Sequence, residues 1–198
     1  MRTIARRAFC VTHQPIFEFL PGMTVPPDDP PLPCGYELVY PYTLAGPEAL
    51  ELFPDAAKTY KHLCRWVERG ARIAVIAVEG KIAHHCVVHT GRTASLSCAP
   101  NSLALVEGQI CVKYAETPPA ERGKGLWPAA LRGIVRHERS QEGFAGALTW
   151  TMSDNVASMR GMVKAGFVYQ KSARVISVGA GRVWYSCRFY VAEAPPLK

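Results

Sequence analysis

Apolar runs and alternations divide the chain into strands and helices. Residues 8–11 and 16–20 read as extended, with a turn expected near His13, Gln14 and Pro15. Six prolines follow between Pro21 and Pro33. They forbid helix or central strand and predict a linker or wrapped loop. Residues 37–40 read as a short strand. From Gly46 and Pro47 a helical face recurs at spacings of three and four: Leu50, Phe53, Ala57, Tyr60, Leu63 and Cys64. Pro54 interrupts it, leaving one helix or two short ones open. Residues 72–78 and 82–89 form a strand pair around a turn at 79–81. Residues 94–105 are ambiguous between strand and irregular chain.

The second half is more regular. Residues 107–116 predict a strand with Ile110, Val112 and Tyr114 on one face. Residues 117–125 are a Pro/Gly-rich loop. Residues 128–139 predict a helix with Trp127, Leu131, Ile134 and Val135 on its apolar face, and Pro128 in the first turn, where proline is tolerated. Residues 143–146 break the chain, and 147–151 read as a strand. Asn155 offers a capping side chain to a helix carrying Val156, Met159, Met162 and Val163, closed by Gly166. Residues 167–178 and 182–191 make two last strands around Gly179, Ala180 and Gly181. Trp184, Tyr185, Phe189 and Tyr190 read as buried in the last one, or as the lining of a pocket or a dimer edge. Strands alternating with helices place the fold in the α/β or α+β class.

At 198 residues, with 48% hydrophobic and 20% charged residues, the chain can bury one ordinary core. No apolar run approaches the ~20 residues of a membrane helix, and residues 1–11 lack the apolar stretch of a secretory leader. Seven cysteines occur with no C-x-x-C pair. Free thiols in a reducing cytoplasm are therefore expected, with no zinc site and no disulfide framework. The net charge of +7 suits an anionic partner. The basic residues are scattered, which argues against nucleic acid. Arg2, Arg6 and Arg7 read as a solvated end, without an amphipathic helix to engage a membrane.

The candidate chemistry lies in the loop Thr117-Pro118-Pro119-Ala120-Glu121-Arg122-Gly123-Lys124-Gly125-Leu126 between strand and helix. A glycine-rich turn at a helix start presents unpaired N–H groups and the positive end of the helix dipole, a setting for phosphate. No Gly-Lys-Ser/Thr follows as in a P-loop, and Pro128 stands where a dinucleotide fingerprint places its third glycine.

About thirty residues on come Asn155-x-x-Ser158 and Lys164-Ala165-Gly166-Phe167. The order R-G-x-G, then N-x-x-S and K-x-G-F, resembles the GNAT superfamily of acyl-CoA-dependent N-acyltransferases. The resemblance implies a mixed central sheet of about six to seven strands, splayed at the cofactor site and flanked by helices. It spans a domain at 35–192, after an extension at 1–34 and before a tail at 193–198. It also implies acetyl-CoA as co-substrate and no metal. Ala115, Glu116 and Thr117 would pair with the pantetheine arm. The amides of Arg122, Gly123, Lys124, Gly125 and Leu126 would hold the diphosphate, with Asn155 and Ser158 contacting the cofactor from the next helix. The implied reaction is direct attack of a primary amine, on a small molecule or peptide, upon the thioester, with backbone N–H groups steadying the oxyanion.

Three positions depart from that pattern. Trp127 stands where the loop motif usually has a small residue. Met162 replaces a tyrosine that serves as thiolate acid, and Gln109 replaces a catalytic glutamate. Glu107, read on the same strand face as Gln109, and Glu116 become the candidate bases. These departures motivate the alternative of a CoA-binding sensor without turnover. His84 and His85 point to opposite strand faces, so packing or a substrate contact by one histidine is expected there rather than a metal. Asn155 read alone is a helix cap, and Gly166 with Phe167 is structural in either reading. A homodimer through the C-terminal strands is left open.

Overall fold

In a computed structural model, the chain is described over residues 9–27, 31–43, 56–96, 99–178 and 184–195. Among these residues ten strands and three α-helices occur in the order β1 (Phe9–Phe19), β2 (Tyr36–Tyr42), α1 (Ala56–Val67), β3 (Arg72–Val78), β4 (Lys81–His89), β5 (Thr93–Leu96), β6 (Ala99–Ala104), β7 (Gln109–Glu116), α2 (Leu126–Arg139), β8 (Gly146–Trp150), α3 (Val156–Lys164), β9 (Val168–Val178) and β10 (Trp184–Tyr190). Eight strands form one mixed sheet in the order β10-β9-β1-β8-β7-β4-β3-β2, one more than the upper expectation, and β5 pairs with β6 apart from it. All neighbours in the large sheet are antiparallel except β7 and β8.

Alternation along the strands decides which layer each side chain joins. Ala74, Ile76, Cys86, Val88, Ile110 and Val112 meet Leu131, Ile134 and Val135 of α2 and Met159 and Met162 of α3. The intervening Ile73, Val75 and Val87 face Leu63 of α1. Cys111 and Leu148 join Ala94 and Leu103 of the β5–β6 pair, with Ile16 and Val175. Helices α2 and α3 thus share one face of the sheet, while α1 and the small hairpin divide the other. Among the described residues no helix is long and apolar enough to cross a membrane.

Two sequence expectations are corrected at β1. No turn breaks it at 13–15, and it is not an appendage ahead of the domain: it is a central strand, flanked by β8 and β9. Pro15 survives there for a local reason. Its carbonyl accepts from the Thr151 N–H at 3.3 Å, so its backbone edge faces the side where β8 has already ended. The missing N–H therefore costs no ladder bond. The boundary drawn at 34/35 consequently falls inside one continuous sheet.

The last strand is corrected too. β10 is an edge strand, and Phe189 and Tyr190 are exposed rather than buried. Residues 94–105, ambiguous in sequence, supply β5 and β6. The start of the helical pattern at 46–55, the turn at 179–181, the arginines at 2, 6 and 7, Cys98 and the end of the tail lie outside the described residues. Of the other cysteines, Cys86 and Cys111 are buried free thiols, and burial pushes both pKa values up.

Candidate functional site

The parallel pair β7–β8 keeps register only from Gln109 opposite Gly146 to Val112 opposite Thr149. Beyond that rung β7 runs on along β4 alone, with Lys113 opposite Val87 and Glu116 opposite His85. Between those two rungs β7 carries one residue more than β4, and Tyr114, inside this bulge, adopts φ 53°. A bulge bends its strand and re-aims the side chains past it. Tyr114, Ala115 and Glu116 are exposed, and β8 stops at Trp150. The two strands part here, giving the splay expected from sequence.

The loop after β7 closes the open end of this wedge. A single 3-10 turn at Pro119–Glu121 takes up the Arg122 amide, which donates to Pro119 O at 3.3 Å. Gly123 (φ 80°) and Gly125 (φ 73°) then take the left-handed conformation that glycine adopts at least cost. Gly125 is the N-cap of α2 and brings no side-chain cap. The backbone N–H groups of Gly123, Lys124, Gly125, Leu126 and Trp127 meet no acceptor among the described residues. Consecutive unpartnered donors at the positive end of a helix form an anion site. The cradle thus starts one residue later than expected from sequence, at Gly123 instead of Arg122, and extends to Trp127.

A cleft of about 670 Å³ opens between the wedge, this loop and α3. Of the residues expected to bind cofactor, Ala115, Glu116, Thr117, Arg122, Gly123, Gly125, Leu126, Asn155 and Ser158 line it. The Lys124 side chain does not. Its ammonium donates to Tyr36 Oη at 2.6 Å and to Glu121 Oε2 at 2.9 Å, and Tyr36 donates to the same carboxylate at 2.6 Å. Those two hydrogen bonds, from Tyr36 first and then Lys124, hold the Glu121 carboxyl below its usual pKa. This triangle ties the loop to β2 and draws the Glu121 carboxylate into its own ion pair. Asn155 Oδ1 accepts from the Ser158 N–H at 3.1 Å, so the capping role is what its oxygen performs. Arg122, Arg160 and Lys164 add positive charge around the opening.

Sequence reasoning left His84 and His85 between packing and a substrate contact by one of them, without saying which. His84 and Trp127 both line the cleft, with ring centroids 5.7 Å apart. His84 reaches it because β4 carries an extra residue opposite the step from Ile76 to Ala77, which fixes the phase of the strand beyond it. His85 points to the other face, as expected, and its Nε2 lies 3.8 Å from Glu116 Oε2. Burial, with a smaller push from the neighbouring imidazole, lowers the His84 pKa to about 3. Burial lowers that of His85 to about 4, with His62 adding to the effect. Both are neutral at pH 7. Only their adjacency in the strand signalled them.

Glu107 is corrected. It lies in the exposed turn before β7, at the opposite end from Glu116 of a strand roughly 23 Å long at ~3.3 Å per residue. It does not line the cleft. Gln109 is structural: its Nε2 donates to Glu18 Oε1 at 2.9 Å and its Oε1 accepts from the Val106 N–H at 3.2 Å. Met162 is buried in the core. Trp127 packs α2 against α3. Its indole lies against Gly161, where an added Cβ would stand 2.4 Å from Trp127 Cδ1.

No family model and no curated protein matches the sequence. Solved structures do match the fold. A GNAT-family acetyltransferase from Colwellia psychrerythraea superposes with TM-score 0.54 at 13% identity, covering 87% of this chain and 57% of that one. A putative GNAT-family acetyltransferase from Novosphingobium aromaticivorans gives 0.52 at 17% identity, with 84% and 63% covered. A GCN5-related N-acetyltransferase from Sphaerobacter thermophilus gives 0.56 at 14% identity, with 84% and 50% covered. The molecule therefore has the GNAT fold. It spans between half and about three fifths of the length of these chains.

Proposed function

We propose that this protein is an acyl-CoA-dependent N-acyltransferase that moves an acetyl or related acyl group onto a primary amine. One observation carries the reading: five unpartnered amides at the head of α2 open onto a strand edge that its neighbour has left. The first feature suits a diphosphate and the second suits an amide-bearing arm that pairs like an added strand. Coenzyme A joins those two groups in one molecule. The residues present fit it. The cleft carries Arg122, Arg160 and Lys164, and the Glu121 carboxylate is engaged by Lys124 and Tyr36.

Bound acyl-CoA would supply an activated thioester. The chain supplies position and proton transfer. The amides of residues 123–127 fix the anionic end, and the free edge of Ala115 to Thr117 aligns the arm. Glu116, exposed beside neutral His85, is the group placed to take a proton from the incoming amine, directly or through water. Met162, buried at the position where the resemblance puts a thiolate acid, favours the second reading, a CoA-binding sensor without turnover.

Thiol release from acetyl-CoA with a panel of primary amines separates the two. We expect release with at least one amine, and Glu116→Gln should lower kcat by about 100-fold while CoA binding persists. CoA binding with no release across the panel up to pH ~9, where amines begin to deprotonate, would support the sensor. Undiminished release by Glu116→Gln would remove the assignment of the base.

A further inference from the structure

The cleft is lined by two side chains whose buried nitrogens have no partner among the described residues. His84 is 1% exposed, its Nδ1 lies 2.7 Å from Thr117 Oγ1, and its Nε2 is buried with no hydrogen-bond partner. Trp127 Nε1 is likewise buried and unpartnered. The two rings are tilted by 43° to each other with centroids 5.7 Å apart, and both residues line the cleft. Buried donors normally find acceptors, because an unmade bond leaves the desolvation of the group uncompensated. Two such groups side by side in a ligand-sized cleft mark a place where the ligand brings the acceptor.

The chemistry of that acceptor follows from the donors. An indole N–H can only donate. With the Thr117 hydroxyl donating to His84 Nδ1, the imidazole carries its proton on Nε2 and presents it as a second donor. Burial keeps that imidazole uncharged well below neutral pH. Arg122, Arg160, Lys164, Glu116 and Glu121 are the charged side chains lining the cleft, and none is hydrogen-bonded to either buried nitrogen. A neutral oxygen therefore suits the floor better than a phosphate does, since a buried anion asks for charged or clustered donors.

We propose that His84 and Trp127 form a neutral two-donor subsite for a carbonyl oxygen of the pantetheine arm, so that the cleft distinguishes coenzyme A from the bare nucleotide. This rests on the reading of the cleft as an acyl-CoA site.

The test compares CoA with 3′-phospho-ADP, which keeps the diphosphate and lacks the arm. His84→Leu should weaken CoA about tenfold, the value of one hydrogen bond, and leave the Kd of 3′-phospho-ADP unchanged, while Trp127→Phe, which keeps the backbone amide of the cradle, should weaken CoA more than it weakens 3′-phospho-ADP. His84→Gln, whose amide can still donate, should recover part of the loss. Nitrogen-15 spectra of the histidines should show the Nε2–H tautomer at His84, with that signal moving on addition of CoA and not of 3′-phospho-ADP. Equal losses for both ligands, or a His84 signal indifferent to CoA, would overturn the subsite while leaving the acyl-CoA reading standing. Failure of the unmodified protein to bind either ligand would overturn that reading, and the subsite with it.

Discussion

Tyr114 shows how one residue opens this site. Its positive φ is uncommon for a side chain of that size and costs on the order of 1–3 kcal/mol. The strand tolerates it because the ring is held from the α1 side, with centroids 5.2 Å from Trp66 and 5.1 Å from His62. Lys113, one residue earlier, places its ammonium 4.1 Å from the Trp66 ring centre. No sequence pattern announces such a bulge, because the apolar alternation of β7 runs through it without a break. The same blindness misplaced Glu107. Counting along the chain put it on the face of Gln109, but the strand begins only at Gln109. Glu116, by contrast, ends β7 next to the glycine loop and lines the cleft.

The histidines carry a pH consequence. His84 and His85 have folded pKa values of about 3 and about 4, below the value near 6.5 of the unfolded chain. Between those limits the unfolded state binds more protons, so falling pH favours unfolding. Each contributes a slope of up to about 1.4 kcal/mol per pH unit, present below pH ~6.5 and absent above it. Denaturant titrations from pH 7.5 to 4.5 should show stability falling below pH 6.5. The double variant His84→Gln/His85→Gln should flatten that fall. An unchanged slope in the variant would assign the acid sensitivity elsewhere.

Among elements, β1 is the one sequence reading placed least well. Its proline at 15 and the proline-rich stretch after it read as punctuation and an appendage. The apolar residues Ile16, Phe17 and Phe19 were visible, but nothing local says that a strand from one end of the chain enters the sheet beside strands from the other. That pairing is non-local, and its register is fixed by burial against β8 and β9. All three side chains are almost fully buried. Burial of each is worth about 1.5–3 kcal/mol, and their sum rivals the whole stability of an ordinary domain. A chain beginning at residue 21 should therefore lose its cooperative thermal transition. Retention of the full-length melting temperature would contradict the central position of β1. Helices α2 and α3 were legible because proline, asparagine and glycine mark their ends and their apolar faces recur at helical spacing.

Across the whole molecule, the cleft opens between two halves of the sheet that share only four rungs of parallel pairing, from Gln109 to Val112. On one side lie β2, β3, β4 and β7, and on the other β8, β1, β9 and β10. Helix α2 leads from one half to the other, and its uncapped start lies where they part. Order and spacing of R-G-x-G, N-x-x-S and K-x-G-F foretold this loop and cleft, whereas the floor built by His84 and Trp127 depended on strand register and stayed hidden. The most direct measurement is calorimetric titration of CoA into the unmodified protein and into Gly123→Val/Gly125→Val, whose side chains are strained in the left-handed conformation. The account predicts one saturable site, weakened at least tenfold in a variant that keeps its circular dichroism. Binding unaffected by the variant, or none with ~1 mM CoA, the upper end of ordinary enzyme substrate constants, would contradict it.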